Sequence, residues 1–184
     1  EVGVNNRVTY MLAFDDLAHR ERAWAAYWVD ADRIQAFAYP ETDPTFVARA
    51  RNTILRPTSF SPLQKLVPQT SKRNTPRIFE LRRYNAVPGR RLSALVDRFE
   101  KVVLGYFQKY KLDMVGFWTD DIGLNVRLTY MLAFDDLAHR DRAWAAFKAD
   151  PERIQAFAES ERGGPLVARI RNTIMRPTSF SPLQ

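Results

Sequence analysis

The sequence predicts an α+β protein made of ferredoxin-like units with an antiparallel sheet, and three observations support this. Short segments alternate apolar and polar residues, as half-buried strands do. Longer segments place apolar residues at helical spacing. Over residues 78–184 these segments follow one another in the order strand, helix, strand, strand, helix, strand, which is the order of a ferredoxin-like unit.

The chain also contains a long internal repeat. Residues 1–64 align without gaps to residues 121–184, and 44 of the 64 positions are identical. Thr9–Arg20 recurs unchanged as Thr129–Arg140, and the segment RPTSFSPLQ ends both copies. Such a long period indicates a tandem duplication of a whole small domain rather than a solenoid repeat.

The repeat predicts three regions: the second half of a first domain (1–64), a linker (65–77) and a complete domain (78–184). The first domain lacks a counterpart of residues 78–120. We expect either that the natural chain extends upstream or that intervening segments are missing from the sequence. Completion of the half-domain by another chain is the third alternative.

Strands are predicted where the alternation is clear. Residues 78–84, 114–119, 126–134 and 172–176 meet this pattern. The dipeptide Pro88-Gly89 provides the turn after the first of these strands.

Helices are predicted over residues 91–111, after Asp136, from Pro151 and over residues 166–170. The first has a one-sided apolar stripe, and the Asp136 side chain can cap the second. Four aromatic residues of the two copies are expected in cores: Trp24, Tyr27, Trp144 and Phe147.

The alternation also sorts the strand residues into two faces. One face is expected to pack under the helices and contains Phe79, Leu81, Val115, Phe117, Val126, Leu128, Tyr130, Leu132 and Phe134. The other is expected to be open and contains Glu80, Arg82, Tyr84, Met114, Gly116, Trp118, Arg127, Thr129, Met131 and Ala133. An open face with large side chains favours burial against a second sheet.

These motifs resemble those of the NIPSNAP family, whose members often contain two tandem domains. The resemblance covers residues 78–184 and depends on Glu80-Leu81-Arg82-x-Tyr84, Pro88-Gly89, Gly116-Phe117-Trp118-Thr119-x-x-Ile122-Gly123-x-Asn125, Leu137-x-x-Arg140 and Arg176-Pro177-Thr178-x-Phe180-Ser181-Pro182-Leu183. One position departs from the family pattern. The family often has a histidine where this chain has Tyr130, so a role of that histidine does not transfer.

The resemblance implies a dimeric α/β-barrel, in which two ferredoxin-like sheets face each other. It leaves the activity open, because the superfamily includes cofactor-independent monooxygenases, haem enzymes and members of unknown activity. We expect a homo-oligomeric barrel that binds a small molecule or a protein partner without catalysis and needs no cofactor. A cofactor-independent monooxygenase that uses the pocket between the sheets is the alternative.

The candidate ligand pocket lies on the predicted open face and comprises Glu80, Arg82, Tyr84, Trp118, Arg127 and Thr129. Two arginines could hold an anion or carboxylate, and Trp118 and Tyr84 could stack on an aromatic ring. In the competing interpretation, Glu80 pairs with an arginine across the interface and the aromatic residues only fill that interface. No catalytic residue is assigned.

Other chemistries find little support in the sequence. Cysteine is absent, which excludes disulfides, thiolate metal ligands and cysteine nucleophiles. The two histidines, His19 and His139, each follow an aspartate in the first turn of a helix and are expected to be solvated rather than to bind a metal. Ser179 and Ser181 lie in a proline-rich tail without the glycines of a nucleophile elbow.

The charge and the hydropathy limit the expected partners. The 28 basic and 21 acidic residues give a net charge of +7, but the arginines alternate with acidic residues, so nucleic-acid binding is not expected. No apolar run approaches the roughly 20 residues of a membrane span. The composition looks bacterial and predicts a cytoplasmic protein; a mitochondrial one is the alternative for a eukaryotic source.

The repeated RPTSFSPLQ tail is predicted to mark domain ends. Its prolines stop the last strand and hold the tail extended. Phe60 and Phe180 are the expected anchors, and the tail could lie across the neighbouring unit as an assembly element.

Overall fold

The structure is a computed structural model that describes residues 6–38, 47, 49–64, 77–89 and 92–183. The chain divides into two compact units, Val8–Asn52 and Thr53–Gln184, the second together with Glu1–Arg7. Because this division falls at Thr53, the last strand and the tail of the first repeat copy pack with the complete domain.

Among its described residues, the smaller unit contains two helices, α1 (Leu17–Val29) and α2 (Ala31–Ala36). Each begins at an aspartate whose carboxylate accepts a backbone hydrogen bond in the first turn, which satisfies an otherwise unpaired N–H group. Asp16 accepts from the His19 amide at 2.6 Å, and Asp30 accepts from the Arg33 amide at 2.7 Å.

The larger unit contains five strands and four helices among its described residues. In chain order these elements are β1 (Ile54–Pro57), β2 (Ile78–Ala86), α3 (Leu92–Arg98), α4 (Leu104–Lys109), β3 (Asp113–Ile122), β4 (Arg127–Phe134), α5 (Leu137–Ala149), α6 (Pro151–Ser160) and β5 (Val167–Met175). A π-helical turn, Phe99–Val103, joins α3 to α4.

The predicted order of elements is confirmed, with one error. Residues 166–170 were predicted as a helix, but β5 begins at Val167 and pairs with β2. The edge of β2 has backbone groups that β5 can pair with, which favours a strand over a helix. A β-branched residue such as Ile170 also fits the pleated surface of a sheet. The spacing of so few apolar residues does not separate a helix from a strand.

The strands form one antiparallel sheet in the order β1-β3-β4-β2-β5. Without β1, the complete domain has its fourth, first, third and second strands side by side, which is the ferredoxin-like arrangement. β1 comes from the first repeat copy and pairs with the outer edge of β3, where Leu55 lies opposite Asp120 and Pro57 lies opposite Trp118.

The π-helical turn keeps one apolar stripe directed at the sheet. Leu95, Phe99, Val103 and Phe107 are all buried and follow one another at intervals of four residues. In a regular α-helix, four residues overshoot a full turn by about 40°, so such a stripe would drift around the helix. The wider π-helical turn corrects part of this drift.

The predicted faces are correct for β4 and wrong for β2. Phe117, Tyr130 and Leu132 pack under the helices, as expected. Phe79 and Leu81 lie on the opposite face, which we call the open face, against Trp118, Met131 and Ala133. Both faces of β2 are packed. The alternation of its residues therefore predicts a strand, but it does not say whether the odd-numbered or the even-numbered residues face the helices.

Strand β3 departs from strict alternation because it contains a bulge. Met114 pairs with Leu132 and Gly116 pairs with Met131, which leaves Val115 as an extra residue. As a result Val115 lies on the open face and Met114 packs with the helix-side core, the reverse of the prediction.

Candidate functional site

The six residues of the predicted pocket do not share one face, so that part of the prediction is wrong. Glu80, Arg82 and Tyr84 lie on the helix side, where Arg82 is opposite Tyr130. The other three lie on the open face: Trp118, Arg127 and Thr129.

Glu80 is fully buried at the centre of a charged network. Two nitrogens of Arg140 donate to its carboxylate at 2.9 and 3.0 Å. Arg82 Nη1 donates to Oε1 at 2.7 Å, and Trp144 Nε1 donates to Oε2 at 2.8 Å. Burial would raise the pKa of Glu80, but these donors and the two guanidinium charges outweigh burial and lower the pKa.

The same network holds Arg82 and Tyr84. Arg82 Nη2 donates to the Tyr84 hydroxyl at 2.9 Å, which also accepts from the Tyr130 hydroxyl at 3.1 Å. The Arg82 guanidinium lies 4.3 Å from the Trp144 ring centroid. Burial, followed by the neighbouring Tyr84, raises the pKa of Tyr130 well above its usual value, so this phenol stays neutral.

The network supports the competing interpretation in one respect, the pairing of Glu80 with arginine, but this pairing occurs within the chain and not across an interface. Glu80 pairs with arginines of its own chain, and the buried charges satisfy one another. The pattern Glu80-x-Arg82-x-Tyr84, with Arg140 and Trp144 on α5, joins β2 to that helix. Sequence reasoning missed Arg140 and Trp144 as partners of Glu80, although both lie in the repeated segment.

The open face has an apolar part and a basic part. In the apolar part, Trp118 is 5% exposed and Met131 is 6% exposed, because residues that include Leu63 and Leu183 of the two tails pack on this cluster. The expectation that this face is uncovered is therefore wrong for its apolar part.

The basic part, which we call the arginine cluster, consists of Arg83, Arg127, Arg169 and Arg171. Arg83 lies directly opposite Arg171 in the β2–β5 pair, while Asn85 lies opposite Arg127 on one side and Arg169 on the other. Cross-strand partners project from the same face, so the four side chains share the open face.

Few acidic groups offset this charge. Asp120 lies 3.5 Å from Arg127 Nη1 and also accepts the Leu124 amide at 2.8 Å. Within the described ranges, no side-chain hydrogen bond or ion pair holds Arg83, Arg169 or Arg171. Like charges placed directly opposite one another destabilise a sheet, so the Arg83–Arg171 pair costs stability unless an anion joins it.

The effect of this repulsion is clearest in the pKa of Arg83. Burial lowers the pKa of its guanidinium, and the charges of Arg127, Arg7 and Arg171 lower it further, against a smaller opposing effect of Asp120. The sequence offered a signal for this residue. In the consecutive pair Arg82-Arg83, one arginine must point to each face of the strand.

The histidines take part in local contacts that resemble each other. His139 Nδ1 accepts from the Asp135 amide at 3.3 Å, as His19 Nδ1 does from the Asp15 amide. No group of three or more His, Asp or Glu side chains suited to a metal ion occurs among the residues that the structure describes.

A cleft of about 430 Å³ lies at the junction of α4 and β3, away from the predicted pocket. It is lined by Phe107, Gln108, Lys111, Leu112, Asp113, Met114, Asp135 and His139. Its lining mixes both charge signs and includes none of the six predicted residues.

None of the helices in the described part of the chain is long and apolar enough to cross a membrane. No curated protein matches the chain.

Solved structures of bacterial proteins match 58–64% of this chain and most of their own length. An uncharacterised NIPSNAP-like domain protein from Burkholderia xenovorans is 27% identical, covering 58% of this chain and 89% of its own, with a TM-score of 0.52. A NIPSNAP family protein of unknown function from Agrobacterium tumefaciens is 25% identical, covering 61% and 97%, with a TM-score of 0.54.

A further NIPSNAP family protein from Agrobacterium tumefaciens is 19% identical over 64% of this chain and 100% of its own, with a TM-score of 0.56, which shows a shared fold. The NIPSNAP family model matches residues 1–62 and 79–182. This match includes most of both repeat copies, and the chain therefore belongs to the NIPSNAP family.

Proposed function

We propose that this chain is a non-catalytic, homo-oligomeric binding protein whose open sheet face holds a small anionic ligand. The observation that supports this most directly is the arginine cluster. Arg83 is half-buried, lies opposite Arg171 and has no acidic side chain paired with it in the described residues. Guanidinium groups bind carboxylate and phosphate oxygens through paired, charge-assisted hydrogen bonds.

The proposal moves the anion site from the predicted Arg82 to Arg83. Arg82 donates to Glu80 and Tyr84, so its hydrogen-bonding capacity is largely used within the fold. Arg127 remains in the site, whereas Thr129 lies directly opposite Arg83 but is buried and is no longer an expected contact of the ligand. Trp118 is the cross-strand neighbour of Thr129, and because the tails cover it we use it as a fluorescence reporter beside the site and not as a contact of the ligand.

Assembly through the open face is the second part of the proposal. Two facing sheets would bring two arginine clusters together, and like charges repel each other unless an anion lies between them. We therefore expect multivalent anions to favour the barrel dimer. Size-exclusion chromatography with light scattering, at low ionic strength with and without millimolar phosphate, measures this effect, and a mass that is unchanged by phosphate contradicts it.

Binding is tested by titrating the protein with 1-naphthoate and following tryptophan fluorescence, with the Trp118→Phe variant to identify the reporter. Arg83→Gln should weaken binding about tenfold or more, because one charge-assisted hydrogen bond contributes about 1.5–3 kcal/mol. Arg142→Gln on the exposed side of α5 is the matched control for net charge. The neutral analogue 1-naphthalenemethanol separates recognition of the charge from stacking.

Equal affinity of the wild type and Arg83→Gln would exclude the arginine cluster as the site. Oxygen consumption with an aromatic substrate, lost in Arg83→Gln and Trp118→Phe, would replace the binding proposal by the monooxygenase alternative. We expect the protein to act in the bacterial cytoplasm, which fractionation of the source cells would check.

A further inference from the structure

The arginine cluster is arranged in two rows across the sheet. Arg83 and Arg171 form the first row, where they lie directly opposite each other on β2 and β5. Arg127 and Arg169 form the second row, one on each side of Asn85. The rows are two residues apart along β2, which separates them by about 7 Å in an antiparallel sheet. The cluster therefore presents its positive charge at two positions and not at one.

Each row has donors for an anionic group of its own. In the first row Arg83 is half-buried, and Arg171 is exposed on the outer strand of the described sheet. In the second row the half-buried Asn85 has no side-chain hydrogen bond among the described residues and lies beside the exposed Arg169. Guanidinium groups and a side-chain amide N–H are suitable donors to carboxylate and phosphate oxygens.

The charge balance of the cluster favours a ligand with more than one negative charge. Within the described ranges, Asp120 is the one carboxylate that contacts these arginines, at 3.5 Å from Arg127 Nη1. Four guanidinium groups and this carboxylate leave an excess of three positive charges. A ligand with two anionic groups neutralises more of this excess than a ligand with one. It therefore relieves more of the repulsion between arginines on neighbouring strands.

We propose that the ligand of the arginine cluster is a small molecule with two anionic groups about 7 Å apart, one for each row. Arg83 and Arg171 bind the first group, and Arg169 binds the second together with the Asn85 amide. The linker between the two groups lies along the methylene stems of the arginines, which favours an aliphatic linker. Linear dicarboxylates and bisphosphates share this chemistry. The inference rests on the proposed anion site and names the class of its ligand.

Isothermal titration calorimetry of the full chain with adipate and hexanoate tests the second anionic group. The two acids have the same number of carbon atoms and differ by one carboxylate. At neutral pH and a fixed low ionic strength, adipate should bind at least about tenfold more tightly, because only adipate reaches both rows. The expected stoichiometry is one adipate per chain.

The spacing of the two groups is tested with a shorter pair of acids. Succinate and butyrate should differ in affinity by at most about threefold, because two carboxylates so close together do not reach both rows. The bisphosphate of 1,4-butanediol, compared with its monophosphate, gives the same comparison for phosphate groups. The dianion that binds more tightly then distinguishes a bisphosphate ligand from a dicarboxylate.

The variant Arg169→Gln separates the two rows. Arg169 is exposed and has no ion pair with a described acidic side chain, so its replacement should leave the fold unchanged. It should weaken adipate binding about fivefold or more and hexanoate binding by less than about twofold. Arg142→Gln removes the same charge from the exposed side of α5 and should change neither affinity by more than about twofold. Arg83→Gln should weaken the binding of both acids.

Equal affinities for adipate and hexanoate, both weakened by Arg83→Gln, would overturn the two-row ligand and leave the proposed anion site in place. An equal loss for both acids in Arg169→Gln would also overturn it. A stoichiometry of one adipate per two chains would do the same, because each chain would then hold only one end. If no acid and no phosphate ester binds the wild-type chain, both this inference and the proposed function are wrong.

Discussion

The twelve residues Thr9–Arg20 and Thr129–Arg140 are identical, yet only their helical parts adopt the same structure. Both helices begin at an aspartate with nearly the same backbone angles, φ −154° and −157°, and with the same 2.6 Å hydrogen bond to the histidine amide. In the second copy the preceding residues form β4. In the first copy they form no strand.

Residues of identical or similar type are buried where they form a strand and exposed where they do not. Leu128, Tyr130 and Leu132 are 0% exposed, whereas their counterparts in the first copy are much more accessible: Val8 is 73% exposed, Tyr10 67% and Leu12 56%. A helix satisfies its own backbone and needs only a local cap. A central strand needs neighbours on both sides, and β4 has β2 and β3.

The largest effect should come from the matched tryptophans Trp144 and Trp24. Trp144 is buried among Phe107, Phe147 and Arg82 and donates to Glu80, so Trp144→Ala should lower the free energy of unfolding of the larger unit by about 3–5 kcal/mol. Trp24→Ala should cost about 1 kcal/mol, since a half-buried ring loses less contact. Urea denaturation followed by circular dichroism measures both, and similar losses would refute the difference between the copies.

The two tails offer the next comparison. Phe60 packs on Phe117 beside the core, and Phe60→Ala should lower the free energy of unfolding by about 2–3 kcal/mol. Phe180→Ala should change it by less than about 0.5 kcal/mol in dilute solution, because the ring is exposed. Thermal melting of the two variants at low protein concentration makes the test, and a large loss for Phe180→Ala would show that its ring is buried.

The third-largest difference is expected between Arg140 and Arg20, the arginines that follow the histidine in each repeat copy. Arg140 holds the buried carboxylate of Glu80, so Arg140→Ala should cost about 2 kcal/mol, with Arg82 left as the remaining ionic partner. Arg20 pairs only with the exposed neighbour Glu21 among the described acidic residues, and Arg20→Ala should cost at most about 0.5 kcal/mol. Equal denaturation midpoints for the two variants would contradict a stabilising role for the Glu80 network.

The smallest effect concerns the two aspartates that begin α2 and α6. Asp150 accepts hydrogen bonds from Lys109, Tyr110 and the Arg153 amide, which lower its pKa well below the usual 3.8. A lowered pKa gives stability that is present above the unfolded-state value and is lost as the pH falls through the folded-state value.

Asp150→Asn should therefore flatten the loss of stability between about pH 4 and pH 2. Asp30→Asn is the matched control, since Asp30 caps α2 through Arg33 and has no counterparts of Lys109 and Tyr110 among its described hydrogen-bond partners. Thermal midpoints measured across this range provide the comparison. A parallel pH profile for both variants would mean that the α4 contacts of Asp150 contribute nothing.

The fold was largely predictable because most of its signals are local or periodic. The aspartate caps, the apolar stripe of residues 92–109 and the alternation in β4 each depend on a short stretch of sequence. The first part of strand β5 was not predicted, because the apolar residues of 166–170 fit a helix as well as a strand. Only the pairing of β5 with β2 decides between the two.

The site was predictable only in part, for a non-local reason. Alternation separates Arg82 from Arg83, but it does not say which of them faces the helices. That choice depends on Arg140 and Trp144, about sixty residues away in sequence, which provide Glu80 with its partners. Once Glu80 is fixed on the helix side, Arg83 must lie on the open face beside Arg127 and Arg171.

The π-helical turn Phe99–Val103 has a consequence for how this domain can change length. A π-helical turn is equivalent to one residue inserted into an α-helix, so deleting one residue there would restore regular α-helical geometry. The deletion would keep Leu95 and Phe107 on one face, because the remaining eleven steps of about 100° come within about 20° of three full turns. We therefore expect chains of this fold that have one residue fewer between these two positions to form a regular α-helix with the same apolar stripe.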